Sequence, residues 1–217
     1  MIIECIAHAE FLIELADGYR IVTDPYNAAT GYPVHDIRAD AVLVSHGHGD
    51  HSAVENVKGW TVKIDQPGLY TLSQGVTVEA FPCFHDDAQG AKRGSNLIFV
   101  LKAEGLTVAH LGDLGHLPDA ELAAKIGPVD ILMIPVGGFF TIDADTAVDV
   151  VRLLKARVIL PMHYRTEANA GWPIAPVDDF LQAMGTPQAE TLRLLRVTAE
   201  DLSLQPRVAV MDWRRAE

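Results

Sequence analysis

The sequence predicts an α/β domain with mixed sheets, from three observations: tight hairpins, helices interleaved with strands in the second half, and an echo between the two halves. The opening hairpin pairs residues 10–15 with 19–24 around Ala16-Asp17-Gly18, because an Asp-Gly pair between two strand-like runs is a strong turn signal. A short apolar run over 40–45 reads as a buried strand and ends in a cluster of histidines. Further strands are expected at 61–64 and 76–81, and a second hairpin pairs 96–102 with 106–111 around Glu104-Gly105. Helices are expected at 119–126, 143–155 and 177–184, which have acidic or proline starts and glycine or basic ends. Between them lie apolar strands at 129–136 and 157–160, and strand-like residues return at 191–197 and 207–213.

The echo links Gly18 to Asp24, a turn, a strand and an acid, with Gly105 to Asp113, 87–89 positions later. Asp40-Ala-Val-Leu-Val parallels Asp130-Ile-Leu-Met-Ile at an offset of 90. Two copies at so long a spacing suggest two similar halves facing each other rather than a solenoid.

Composition bounds the function. The 217 residues are 49% hydrophobic and 21% charged, which fits one globular domain over 1–217. A chain of this size buries roughly 70% of the surface its unfolded form exposes, so it needs no disulfide staples. Seventeen basic against 29 acidic residues give a net charge of -12, a field that repels nucleic-acid backbones and anionic headgroups. Cys5 and Cys83 form no CxxC pair, which suits a reducing, cytoplasmic compartment. Glu4, Glu10 and Glu14 interrupt the apolar start and no basic stretch precedes it, so no signal peptide is expected. No run reaches the ~18 uncharged apolar residues that insertion into a bilayer requires.

His46-Gly-His-Gly-Asp-His51 concentrates the chemistry. Imidazole nitrogens and carboxylate oxygens are the usual ligands of zinc and neighbouring divalent ions. While the backbone stays extended, His46 and His48 share a face; Asp50 and His51 follow where a turn can aim them at a second ion. The two glycines let the chain bend closely around the ions.

The hexapeptide matches the HxHxDH signature of the metallo-β-lactamase-fold hydrolases, and the rest of the chain resembles them in order. Asp24 in Thr-Asp-Pro resembles the acid that braces the ligand loop, His85 the third motif, Asp113 in His-Leu-Gly-Asp the bridging carboxylate, and His163 in Pro-Met-His-Tyr the last ligand. The phrases Leu111-Gly-Asp-Leu-Gly-His116 and Pro135-Val-Gly-Gly resemble a prokaryotic subgroup of zinc-dependent hydrolases related to ascorbate-6-phosphate lactonase and to the phospholipase D that cleaves N-acyl phosphatidylethanolamine. The resemblance implies a four-layer αββα sandwich with two mixed sheets. It puts His46, His48 and His85 on one metal and Asp50, His51 and His163 on the other, with Asp113 between them. That set leaves room for a bridging hydroxide, and Asp50 can accept the attacking water's proton. Zinc is the first expectation, with manganese or iron also admitted by an all N/O shell.

Other residues take lesser expectations. His110, three positions before Asp113, points to the opposite strand face and suits packing or support; His116 can reach the cleft as a proton donor. His8 is expected to pack, His35 to lie on a surface loop, and Cys83 to stay off the metals. Relatives that cleave phosphodiesters carry a proton-donor histidine in the loop that here reads Phe139-Phe-Thr-Ile-Asp143, so Thr141 stands there as a substrate hydrogen-bond donor or a helix cap. Lys92-Arg93 offers an anion site or a solvated basic turn.

The acidic charge argues against an RNA-processing nuclease, the missing export signal against a secreted β-lactamase, and the strand-like tail against glyoxalase II. Two readings remain: a hydrolase of a small ester, lactone or phosphorylated metabolite, or a metal-binding sensor or scaffold with little catalysis. A small-molecule substrate is the expected partner, and homo-oligomerisation is left open.

Overall fold

The structure is a computed structural model describing residues 1–73, 75–203 and 205–214. In the first half, β1 (Ile2–Ala7), β2 (Glu10–Glu14) and β3 (Arg20–Thr23) form a meander followed by β4 (Ile37–Arg38), β5 (Ala41–Leu43), β6 (Val57–Lys58) and β7 (Val62–Ile64). The second half opens with β8 (Gly68–Ser73), β9 (Val76–Phe84), β10 (Ser95–Ala103) and β11 (Leu106–His110). It continues through α1 (Ala120–Ile126), β12 (Ile131–Pro135), α2 (Ala144–Leu153), β13 (Val158–Met162) and α3 (Val177–Ala183), and finishes with β14 (Glu190–Leu192), β15 (Leu194–Arg196) and β16 (Arg207–Met211).

Two mixed sheets result, in the orders β15-β1-β2-β3-β5-β7 and β14-β16-β13-β12-β11-β10-β9-β8. They face each other across one apolar layer, as β10 illustrates. Leu97, Phe99 and Leu101 point into the layer between the sheets with Phe11, Ile13 and Leu43, while Ile98 and Val100 point the other way, under the helices. A strand buried on both faces reads as a continuous apolar run, which is why the hairpin signal at 96–102 was clear.

The helices cover the outer face of the larger sheet, where Ala147, Val150 and Val151 of α2 and Phe180 of α3 pack on Leu132 and Ile134. Asp119 and Asp143 cap α1 and α2, accepting from the backbone N–H of Leu122 and Thr146 at 2.8 and 2.9 Å. The cap of α2 is therefore Asp143, and Thr141 is not needed for it. The outer face of the smaller sheet, with Leu12, Val22 and Val42, is covered by Tyr26, Tyr32 and the β4–β6 ribbon, where the described residues form short 3-10 turns and no α-helix.

The echo corresponds to a repeated topology. Antiparallel β1-β2-β3 followed by parallel β5 and β7 matches antiparallel β9-β10-β11 followed by parallel β12 and β13. Asp40 accepts from the Arg20 N–H at 2.8 Å and donates its own N–H to the Arg20 carbonyl; Asp130 does the same with Thr107, at 2.9 Å for both bonds.

One expectation is corrected. The run at 191–197 is not one strand: β14 joins β16 in the larger sheet, β15 joins β1 in the smaller, and the chain changes sheet at Arg193. Four strands went unread: β1 because it lacks alternation, β8 because it is a largely exposed edge, and β4 and β6 because each is only two residues long.

Candidate metal centre

All seven residues of the expected ligand set gather where strand ends of both sheets meet. The loop 46–51 follows β5, His85 follows β9, Asp113 follows β11 and His163 follows β13. Asp24, after β3, organises the first loop from behind and is fully buried. Its Oδ1 accepts from the Ser45 N–H at 2.7 Å, and its Oδ2 accepts from Ser45 Oγ at 2.6 Å and from His51 Nδ1 at 2.9 Å.

These bonds fix two tautomers. An ionised carboxylate only accepts, so a His51 proton sits on Nδ1, and in the neutral ring, the form that binds a cation, the Nε2 lone pair faces inward. Ser45 Oγ spends its hydrogen on Asp24 and so accepts from His46 Nδ1 at 3.0 Å, which frees His46 Nε2 in the same way. Both inward nitrogens are buried with no hydrogen-bond partner, as is Asp113 Oδ1. Asn96 places Asp113, accepting from its N–H at 3.0 Å while donating to the Leu111 carbonyl at 2.9 Å.

Asp113 stands at the centre of the site. Oδ1 lies 3.2 Å from His51 Nε2, and Oδ2 lies 3.1 Å from His85, 3.3 Å from His163 and 3.8 Å from His46. Asp50 Oδ2 is 3.6 Å from His51 Nε2. Ligand atoms about 2.1 Å from a tetrahedral cation stand about 3.4 Å apart, so these spacings suit atoms sharing ions. Donor atoms of His46, His48 and His85 form one group within 4.8 Å, those of His8, Asp50, His51 and His163 form another, and His46, His51 and Asp113 form a third that joins them. The unpartnered inward atoms and the N/O chemistry of the set therefore fit divalent cations.

Charge follows the same geometry. Burial opposes ionisation of Asp113, but the neighbouring His163 and His51 hold its carboxyl well below the usual range. Burial likewise disfavours charge on His51, yet Asp113 and Asp24 outweigh it and raise that pKa well above 6.5. The backbone is strained here: Asp24, His163 and His8 all adopt left-handed φ values, 41°, 53° and 56°. For non-glycine residues such conformations persist where surrounding contacts enforce them, commonly at functional sites.

The remaining candidates lie apart. His110 is buried, donating from Nε2 to the Ala9 carbonyl at 2.8 Å and accepting from the Gly112 N–H at 3.1 Å, 3.9 Å from Asp24. His116 accepts from the Phe84 N–H at 3.3 Å and donates to the Leu117 carbonyl at 3.0 Å, so both its nitrogens are engaged by backbone. With Thr141, Arg93, Phe139 and Phe140 it lines a cavity of about 560 Å³. Arg93 stacks 5.6 Å from the Phe140 ring centroid, and no carboxylate pairs with it among the described residues. Lys92 is tied to Asp87 at 2.6 Å. Cys83 stays off the site as a core thiol, pushed up to about 12 by burial.

Sequence reasoning missed His8, which enters the second donor group, and Trp172, whose ring lies 5.4 Å from His8 and 6.2 Å from His163. Reading β1 as the counterpart of β9 would have drawn attention to His8; nothing in the sequence around Trp172 marked it.

Comparison with known proteins agrees with this geometry. The profile of the beta-lactamase superfamily domain matches residues 2–163. A UPF0173 metal-dependent hydrolase of Carboxydothermus hydrogenoformans is 35% identical over 211 residues, covering 82% of this chain and 88% of that protein. One from Thermococcus onnurineus is 31% identical, with 83% and 90% covered. The crystal structure of a candidate zinc-dependent hydrolase of the metallo-β-lactamase superfamily from Thermotoga maritima superposes with a TM-score of 0.78 at 38% identity, with 97% of each chain covered. The chain belongs to the UPF0173 family of the metallo-β-lactamase superfamily and is a metal-dependent hydrolase.

Proposed function

We propose that this enzyme, one domain over 1–217, hydrolyses a small ester, lactone or phosphorylated metabolite at a centre for two divalent cations, zinc first and manganese or iron next. His46, His48 and His85 hold one cation, Asp50, His51 and His163 the other, and Asp113 bridges. The observation that carries this is the place of Asp113 between the groups: its Oδ2 lies 3.1 Å from His85 of the first and 3.3 Å from His163 of the second, and its Oδ1 lies 3.2 Å from His51 of the second. When bound, such a pair supplies an acidified water and charge that stabilises the oxygen developing at the bond under attack.

The chain's own groups do the rest. Asp50 Oδ2 is turned to His8 and His51, leaving Oδ1 to take the proton from the attacking water. Arg93 receives an anionic group of the substrate, since its guanidinium is stacked on Phe140 and free of carboxylates among the described residues. His116 and Thr141 form walls of the same cavity, whose volume suits a small molecule. No helix among the described residues is long and apolar enough to cross a membrane, and the buried free thiols Cys5 and Cys83 support a cytoplasmic setting.

A panel of esters, lactones and phosphodiesters, with anionic and neutral members, tests the reading on metal-loaded protein. Turnover favouring anionic members is expected, with Arg93→Ala raising KM at least tenfold and leaving kcat within a few-fold. Fully loaded protein that turns over nothing across the panel contradicts it.

A further inference from the structure

We propose that His8 is a ligand of the second cation, completing a donor set of His8, Asp50, His51 and His163 beside the bridging Asp113. The inference rests on the two-cation reading and adds a residue to it.

His8 is buried, yet neither ring nitrogen has a hydrogen-bond partner. A buried polar ring normally finds a partner, so one left with none and aimed into a group of donors calls for a ligand that the protein itself does not supply. Its Nε2 stands 3.4 Å from Asp50 Oδ2, within the 3.1–3.8 Å range separating the other facing donors. Donor atoms of His8, Asp50, His51 and His163 all lie within 4.8 Å of one another, so one ion can reach all four.

The backbone is built to present this ring. His8 sits in the turn between β1 and β2 at φ 56°, and its carbonyl accepts from the His163 N–H at 3.2 Å. Its ring centroid lies 4.3 Å from that of His163 and 5.2 Å from that of His51, with the Trp172 ring edge-on at 5.4 Å. A position that only packed an apolar ring would not need a strained backbone tied to a second donor.

The repeated topology supplies an independent argument. His85 directly follows β9, the first strand of the second repeat, and His8 directly follows β1, its counterpart in the first. Asp113 after β11 and Asp24 after β3 are related in the same way. Two similar halves thus each contribute one histidine from the turn after their first strand, His85 to the first group and His8 to the second.

The test measures zinc and cobalt affinity by competition with a chromophoric chelator, together with the visible absorption of the cobalt form, for wild type, His8→Asn and His8→Gly. Asparagine tolerates the left-handed backbone and glycine adopts it freely, so both variants are chosen to keep the fold, with circular dichroism as the check. The expected result is two ions in wild type and a loss of at least tenfold in affinity for one of them in both variants, with a changed cobalt spectrum. Free imidazole, fitting the space left by His8→Gly, restores affinity and spectrum. Unchanged affinity and spectrum in both variants, with two ions bound, overturns the role of His8 and leaves the two-cation centre standing. A loss that imidazole does not restore, with an unchanged cobalt spectrum, also overturns it and assigns the ring to packing. Fewer than two ions in wild type removes the reading beneath it.

Discussion

Asp24→Asn separates the work of the carboxylate from its shape. The side chain keeps its size, and asparagine is at ease at the φ of 41° found there. Of its three bonds, the one from the Ser45 N–H to Oδ1 survives, and Ser45 Oγ can turn to accept from the new amide. The 2.9 Å contact with His51 Nδ1 cannot survive unchanged, because an amide N–H would then face a ring N–H. The ring proton must move to Nε2, the nitrogen facing Asp113, and it then blocks the lone pair offered to a cation. The cost is one hydrogen bond to a charged group, about 1.5–3 kcal/mol, or roughly 10–150-fold in affinity at about 1.4 kcal/mol per decade. Metal affinity measured by chelator competition, with circular dichroism confirming the fold, is expected to fall by this factor for one ion of the pair. Affinity within about threefold of wild type for both ions would refute the tautomer argument.

The other predictions rest on different parts of the molecule. A Cβ on Gly115 would collide with the backbone of His85 and Asp86, which cannot rotate aside, so Gly115→Ala should cost about 3 kcal/mol. At this chain length that lowers Tm by roughly 6–12 °C in a thermal melt, and an unchanged Tm would show that the two loops are not in contact. In chelated protein, burial and His163 push His8 down to about 4, and burial and His51 push His46 down to about 3. The unfolded chain takes up these protons near pH 6.5 and the folded chain does not, so their stabilisation is complete above 6.5 and is lost as pH falls towards 4. His51, raised, is protonated in both states over that window, and the lowered Asp24 and Asp113 add their own loss only below about 4. Melts in excess chelator should show stability falling by up to about 1.4 kcal/mol per pH unit for each of these two histidines, with His110, also lowered by burial, adding in the same direction, and a flat profile would contradict their neutral burial. Asp143→Ala removes the cap of α2 and should cost about 1 kcal/mol by denaturant unfolding. His116→Ala should change KM more than kcat, because both ring nitrogens are already held by backbone.

Much of this was legible in the sequence because its signals are local. Asp17-Gly18 marks a turn wherever it sits, and Asp119 and Asp143 stand one residue before the helices they cap. The hexapeptide supplies four of the seven donors, while His85, Asp113 and His163 were found through resemblance and then met at strand ends. What escaped depends on long-range pairing. The run at 191–197 divides between two sheets because its partners, β16 and β1, lie at opposite ends of the chain. His8 reads as a packing residue until the β1–β2 turn is seen against His163, 155 positions away, whose N–H it accepts. The hydrogen-bonding of His116 to Phe84 is equally invisible to spacing, since it crosses from one loop to another.

Counting metal per chain by elemental analysis, wild type beside His163→Ala, decides whether the centre holds two cations. Two ions per wild-type chain are expected, with a clear loss, towards one, in the variant, since His163 Nε2 belongs to the second donor group and lies 3.3 Å from Asp113 Oδ2. One ion or none in wild type, or two retained in the variant at unchanged affinity, would contradict the two-cation centre.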